Sequence, residues 1–109
     1  MTEDKLDRIF ALQKALDNRI LIDTHRGESH ISRLCTAIIH EACELQRLTS
    51  WKWWKKPTPF NEQEARKELV DIIHFVVSAA IALDMTPADI LEEYEKKNLI
   101  NHQRQEQGY

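Results

Sequence analysis

Apolar positions along the 109-residue chain recur in four amphipathic segments. Leu6, Ile9, Phe10, Leu16 and Ile20 fall at helical spacing and predict a first helix from about Asp4 to Leu21. A polar stretch from Asp23 to Glu28, with a glycine inside it, separates this helix from the next. Leu34, Ile38, Leu45 and Leu48 predict a second helix from Ser29 or Ser32 to Leu48, with the serine as N-cap. A loop of unusual composition follows, Trp51 to Pro59, holding all three tryptophans among Lys52, Lys55 and Lys56. Asn61 opens a third helix that runs to about Leu83, with Glu64 placed as its capping-box partner. Thr86 and Pro87 open a fourth, to about Gln105. There Thr86 caps, Pro87 takes the first helical position, and Asp89 sits at the positive end of the helix dipole. The connections are short, which favours antiparallel neighbours and predicts an all-α four-helix bundle. Four helices in so short a chain leave apolar surface over, so at least a dimer is expected.

Composition narrows this picture. Hydrophobic residues make up 42% and charged residues 30%, as in an ordinary soluble domain. Two glycines and three prolines are too few for the turns of an all-β fold. A net charge of -3 gives no basic field to recruit nucleic acid. Cys35 and Cys43 lie in one apolar helical stretch and read as small buried residues in a reducing compartment. The N-terminus, Met1 to Asp7, is charged and unlike a signal peptide. The longest apolar-rich run, Ile72 to Leu83, is interrupted by His74 and Ser78 and is too short to span a bilayer. The expectation is a single cytoplasmic domain over residues 1–109, with neither membrane nor nucleic acid as partner.

Two helices carry acids where a core should be. Glu41 interrupts the apolar stripe of the second helix, and Glu44 follows one turn along. On the third helix Glu68 and Asp71 repeat the spacing at the edge of an arc formed by Leu69, Ile72, Val76, Ala80 and Leu83. Four carboxylates gathered at a core edge repel one another and lose hydration at several kcal/mol each unless paired. A hard divalent cation with oxygen ligands answers this, and Mg²⁺ does so while keeping sites for water and phosphate. The other reading is that the acids are solvated or paired with Arg47, Arg66 or Lys67. Spacing alone leaves both open.

The fourth helix presents Lys97, Asn101 and Arg104 at i, i+4 and i+7, a cation, an amide and a guanidinium on one face. Such a row suits an anionic ligand. A basic helix C-terminus would explain the cations, but not the asparagines, which are poor helix formers. The tryptophans could stack on a base, or cover the bundle end or a subunit interface. His74, beside Phe75 and one turn from Asp71, is either a satisfied core histidine or a base contact.

Taken in order, Glu41-Ala42-Cys43-Glu44-Leu45, Ser50-Trp51-Lys52-Trp53-Trp54-Lys55, Glu68-Leu69-Val70-Asp71-Ile72-Ile73-His74-Phe75 and the segment from Lys97 to Gly108-Tyr109 resemble the dimeric all-α dUTPases. These belong with the MazG-like enzymes in the all-α NTP pyrophosphatase superfamily. The resemblance touches all four helices. It implies Mg²⁺-dependent hydrolysis of a pyrimidine deoxynucleoside triphosphate, dUTP above all, to the monophosphate and pyrophosphate. It implies that Glu41, Glu44, Glu68 and Asp71 hold Mg²⁺ and that Glu41 and Glu44 are catalytic, Glu44 orienting or deprotonating the attacking water. Lys97, Asn101, Arg104 and Tyr109 would contact phosphates. Gln13 matches a base-recognising glutamine, and Trp51 or Trp54 would line the base pocket with His74 and Phe75. It also implies a homodimer or a dimer of dimers.

The chain departs from the pattern in two places. The family's uracil-binding asparagine is Asp17 here, with Asn18 beside it, which a shift of register would let take its place. A carboxylate only accepts, where an amide both donates and accepts, so dCTP or another dNTP is the alternative substrate. The long segment that the dUTPases carry between the third and fourth helices is reduced to Asp84–Thr86, so the site would be either more open or completed by a neighbouring subunit.

Overall fold

The computed structural model describes residues 4–20 and 27–108, which are helix apart from the connections between helices, of which residues 48–61 form the longest described. Helix α1 spans Lys5–Ile20, α2 Gly27–Arg47, α3 Glu62–Ala82 and α4 Pro87–Glu106. The bounds follow from local chemistry. The Asn61 side chain accepts from the Glu64 N–H at 3.1 Å and starts α3. The reciprocal half of the expected box is not made: the Glu64 carboxylate pairs with Lys67 at 3.2 Å. Thr86 and Asp89 do form a full capping box. Asp89 N–H donates to Thr86 Oγ1 at 3.1 Å, and Thr86 N–H donates to Asp89 Oδ2 at 2.9 Å. These bonds to its charged form hold the Asp89 carboxyl below its usual range.

The start of α2 differs from expectation. Neither Ser29 nor Ser32 caps it, because the helix already begins at Gly27, whose φ of 79° is free of penalty without a Cβ. The expected end of the first helix at Leu21 lies outside the described residues.

α2 packs along α3 in the most extensive helix contact, α1 lies on α3, and α4 touches mainly α1. α3 and α4 meet at 103° across a turn in which Asp84 takes a positive φ of 58°. α4 is therefore not an antiparallel neighbour of α3, although the connection is short, and none of its residues is buried. The core is small: Phe10, Val77 and Ala80, with Leu6, Ile81, Met85 and Ile90 packed against them. Cys35 is exposed and Cys43 half-buried, against the expectation of burial, because this chain alone covers only part of α2. Among the described residues no single helix is long and apolar enough to cross a membrane.

Much apolar surface stays uncovered. The accessible surface is 9261 Å², where a compact monomer of 12.9 kDa exposes about 6,300 Å². The radius of gyration is 17.3 Å, against about 13 Å for a compact chain of this length.

Candidate active site

Packing of α2 on α3 brings the acids together. One carboxylate oxygen from each of Glu41, Glu44 and Glu68 lies within 4.8 Å of the others. Asp71 falls outside that trio but acts on it electrostatically. Burial pushes the Glu41 carboxyl above its ordinary range, and the charges of Glu44 and Asp71 push it further. Glu68 is raised in the same way, by burial first and then by Glu44, Asp71 and Glu41. Glu41 Oε2 and Glu68 Oε2 are buried and have no hydrogen-bond partner. Lys67 is engaged with Glu64, and among the described residues no ion pair joins Arg47 or Arg66 to the four acids. Salt bridging therefore does not account for them. The residues fit a divalent cation: an all-oxygen donor set, with two buried oxygens lacking a donor.

Beside the acids a cavity of about 480 Å³ is lined by Glu41 and Asp71 at one side and by Gln13, Asp17, His74, Phe75 and Ser78 elsewhere. α1 and α3 build its polar wall. Gln13 Nε2 donates to Asp17 Oδ1 at 2.9 Å, His74 Nδ1 meets Gln13 Oε1 at 2.5 Å, and the Ser78 hydroxyl reaches both Asp17 oxygens at 3.0 and 3.1 Å. Asn18 lines a second space, of about 890 Å³, between α1 and the α3–α4 turn, which Asp17 and Ser78 border as well. The structure thus gathers Gln13, Asp17, His74 and Phe75 around one cavity. Ser78 is the member that the sequence reading passed over. Its position at i+4 from His74 and i+7 from Asp71 was the available signal, since those spacings share a helix face.

The other expected residues lie apart from this cavity. Trp51 and Trp54 do not line it: they pack edge to face at 5.8 Å, with Trp53 against Trp54 at 4.7 Å. Ser50 pins this loop by bonding both the N–H and the C=O of Thr58. Lys97, Asn101 and Arg104 lie exposed on α4, which contributes nothing to the cavity wall. Tyr109 lies outside the described residues.

A family model described as dUTPase matches residues 5–87 and 80–109. The chain belongs to this all-α dUTPase family. The match breaks at the α3–α4 turn, the place where the resemblance implies a longer segment. The chain is 35% identical over 78 residues to a dCTP pyrophosphatase of Enterobacteria phage T4, covering 61% of this chain and 46% of that protein. It has the same identity over 78 residues to a dCTP pyrophosphatase of Enterobacteria phage LZ5, covering 61% of this chain and 45% of the relative. The chain thus spans just under half the length of these relatives. No solved structure matches it.

Proposed function

We propose that the chain is a Mg²⁺-dependent pyrophosphohydrolase that cleaves a pyrimidine deoxynucleoside triphosphate to the monophosphate and pyrophosphate, working as a homodimer or dimer of dimers. The observation that carries this reading is the pair of buried, unpartnered oxygens, Glu41 Oε2 and Glu68 Oε2, on facing helices beside the cavity. Such oxygens are costly without a donor or a cation. Glu41, Glu44, Glu68 and Asp71 would hold Mg²⁺. When bound, the ion supplies charge neutralisation at phosphate oxygens and a more acidic water.

The chain's own groups do the rest. Glu44 is the exposed member of the acidic trio, so its carboxylate can take a proton from a water on the solvent side. Phe75 lines the cavity and would give the base an apolar contact, while Gln13, Asp17 and His74 would offer polar atoms to its edge. Lys97, Asn101, Arg104 and Tyr109 would meet the phosphates. α4 carries the first three away from the cavity of its own chain, so a second copy would deliver them, and with them Trp51 or Trp54 as a stacking surface. The large uncovered surface supports such an assembly.

For the base we read cytosine, where the resemblance favoured the uracil of dUTP. Two observations favour it: the phage relatives are dCTP pyrophosphatases, and position 17 is a carboxylate that only accepts hydrogen bonds.

Pyrophosphate release from a panel of dNTPs and NTPs, with and without Mg²⁺, tests this beside Glu41→Gln. The expected result is Mg²⁺-dependent turnover of pyrimidine deoxynucleotides, reduced at least about a hundredfold in the variant. Absence of turnover with every nucleotide would replace the enzyme by a non-catalytic nucleotide-binding oligomer.

A further inference from the structure

The polar wall of the cavity is a chain of hydrogen bonds that runs in one direction. Asp17 is its terminus. A carboxylate offers no proton, so the Gln13 amide must turn its nitrogen toward Asp17 Oδ1, at 2.9 Å. The Gln13 carbonyl then faces His74, and the 2.5 Å contact requires the proton to sit on His74 Nδ1. Reversing the amide would set oxygen against oxygen at Asp17. One residue therefore fixes both the orientation of Gln13 and the tautomer of His74. Ser78 fixes Asp17 in turn: its hydroxyl lies 3.0 and 3.1 Å from the two carboxylate oxygens. Gln13 and Ser78 are each only 6% exposed, so neither has water as a ready substitute partner.

This polarity decides what the wall offers a ligand. Asp17 Oδ2 still has acceptor capacity, and beside it Gln13 keeps a second N–H. An acceptor next to a donor complements a donor next to an acceptor. The 4-amino group and N3 of cytosine present that order. Uracil presents the reverse, with an accepting O4 and a donating N3–H.

We propose that Ser78 is a specificity-determining positioning residue, which holds the Asp17 carboxylate so that Gln13 and His74 stay in the polarity that admits a 4-aminopyrimidine and rejects a 4-oxopyrimidine. This rests on the reading of the cavity as the base pocket. It assigns Ser78 a role in selection, where a merely structural hydroxyl would tie α1 to α3 and leave the choice of base alone. Asp17→Asn removes the constraint: an amide at 17 can donate, Gln13 can invert, and the wall then suits the 4-oxo edge.

The test is calorimetric titration with dCMP and with dUMP, which needs no turnover, on the wild type, Ser78→Ala, Ser78→Thr and Asp17→Asn. The wild type should bind dCMP about tenfold or more tighter than dUMP, the equivalent of one hydrogen bond to a charged group. Ser78→Ala should lower that ratio about tenfold, Ser78→Thr should keep it, and Asp17→Asn should invert it. Equal affinities in the wild type, or a ratio that a folded Ser78→Ala leaves unmoved, would overturn the proposal. If circular dichroism shows Ser78→Ala unfolded, Ser78→Cys, which keeps the size but weakens the hydrogen bond to Asp17, takes its place: a lowered ratio supports the proposal and an unmoved one overturns it. Pyrophosphate release by the same proteins separates the two readings. Selective binding without turnover removes the hydrolase and keeps the network. Turnover with a dCTP-to-dUTP ratio of kcat/KM that the substitutions leave unchanged keeps the hydrolase and removes the network.

Discussion

Replacing Leu12 by glutamate should dissociate the protein into single chains without unfolding them. On α1, Ile9, Leu12, Leu16 and Ile20 follow one another at i, i+3, i+7 and i+11, and are 43%, 55%, 42% and 63% exposed. A row of half-exposed aliphatics at that spacing is a seam for a partner helix, laid along the rim of the cavity of about 480 Å³ that Leu16 and Ile20 also line. The chain exposes 9261 Å², about 3,000 Å² more than a compact monomer of its mass, while a standard interface takes about 800 Å² from each partner. Covering the exposed half of Leu12 is worth about 1 kcal/mol. Stripping water from a carboxylate at the same place costs several kcal/mol more. In a symmetric dimer the substitution enters twice, so association should weaken by a factor on the order of a thousand or more. The buried face of α1, through Phe10 and Gln13, is untouched, so far-UV helicity should hold. Light scattering on a sizing column, from low to high micromolar protein, reads the outcome. The wild type should show at least twice 12.9 kDa and the variant a single chain. A monomeric wild type at the highest concentration would refute the assembly. An assembled Leu12→Glu would refute the placing of the seam on α1.

Further outcomes follow from the same structure. Phe10→Ala removes the largest side chain of the buried cluster and should lower stability by roughly 3 kcal/mol, read as an earlier urea midpoint. Asn61→Ala removes the N-cap of α3 and should cost about 1 kcal/mol, a fall of roughly 4–8 °C in melting temperature. In EDTA, Glu68→Gln should stabilise the protein, by an amount that grows with pH. The folded-state Glu68 carboxyl titrates above its ordinary 4.5, so the folded protein holds that proton more tightly than the unfolded one. Its contribution is fully present below 4.5 and is lost as pH climbs through the raised folded value. Melting curves of wild type and variant across that range check this, and a gain that shrinks with rising pH contradicts it.

Sequence alone determined whatever is encoded within one or two turns. The period of apolar residues located the helices. Asn61 set the start of α3, and Thr86 with Pro87 that of α4, because a cap bonds only to backbone two or three residues away. The acid pairs at i, i+3 were legible on each helix, and so was the unusual carboxylate at position 17. Tertiary structure decided what depends on which helix faces which. α2 against α3 turned two acid pairs into a trio of carboxylates with two unpartnered oxygens. α1 against α3 joined Gln13 to His74 and Asp17 to Ser78, each 61 residues apart, and no local rule reaches that far. The turn at Asp84 sent α4 off at 103°, so its basic row, readable as a row, lies away from the cavity of its own chain. Periodicity says which face of a helix is apolar, but not which surface will cover it. Here α1 keeps a second apolar row that its own chain leaves bare.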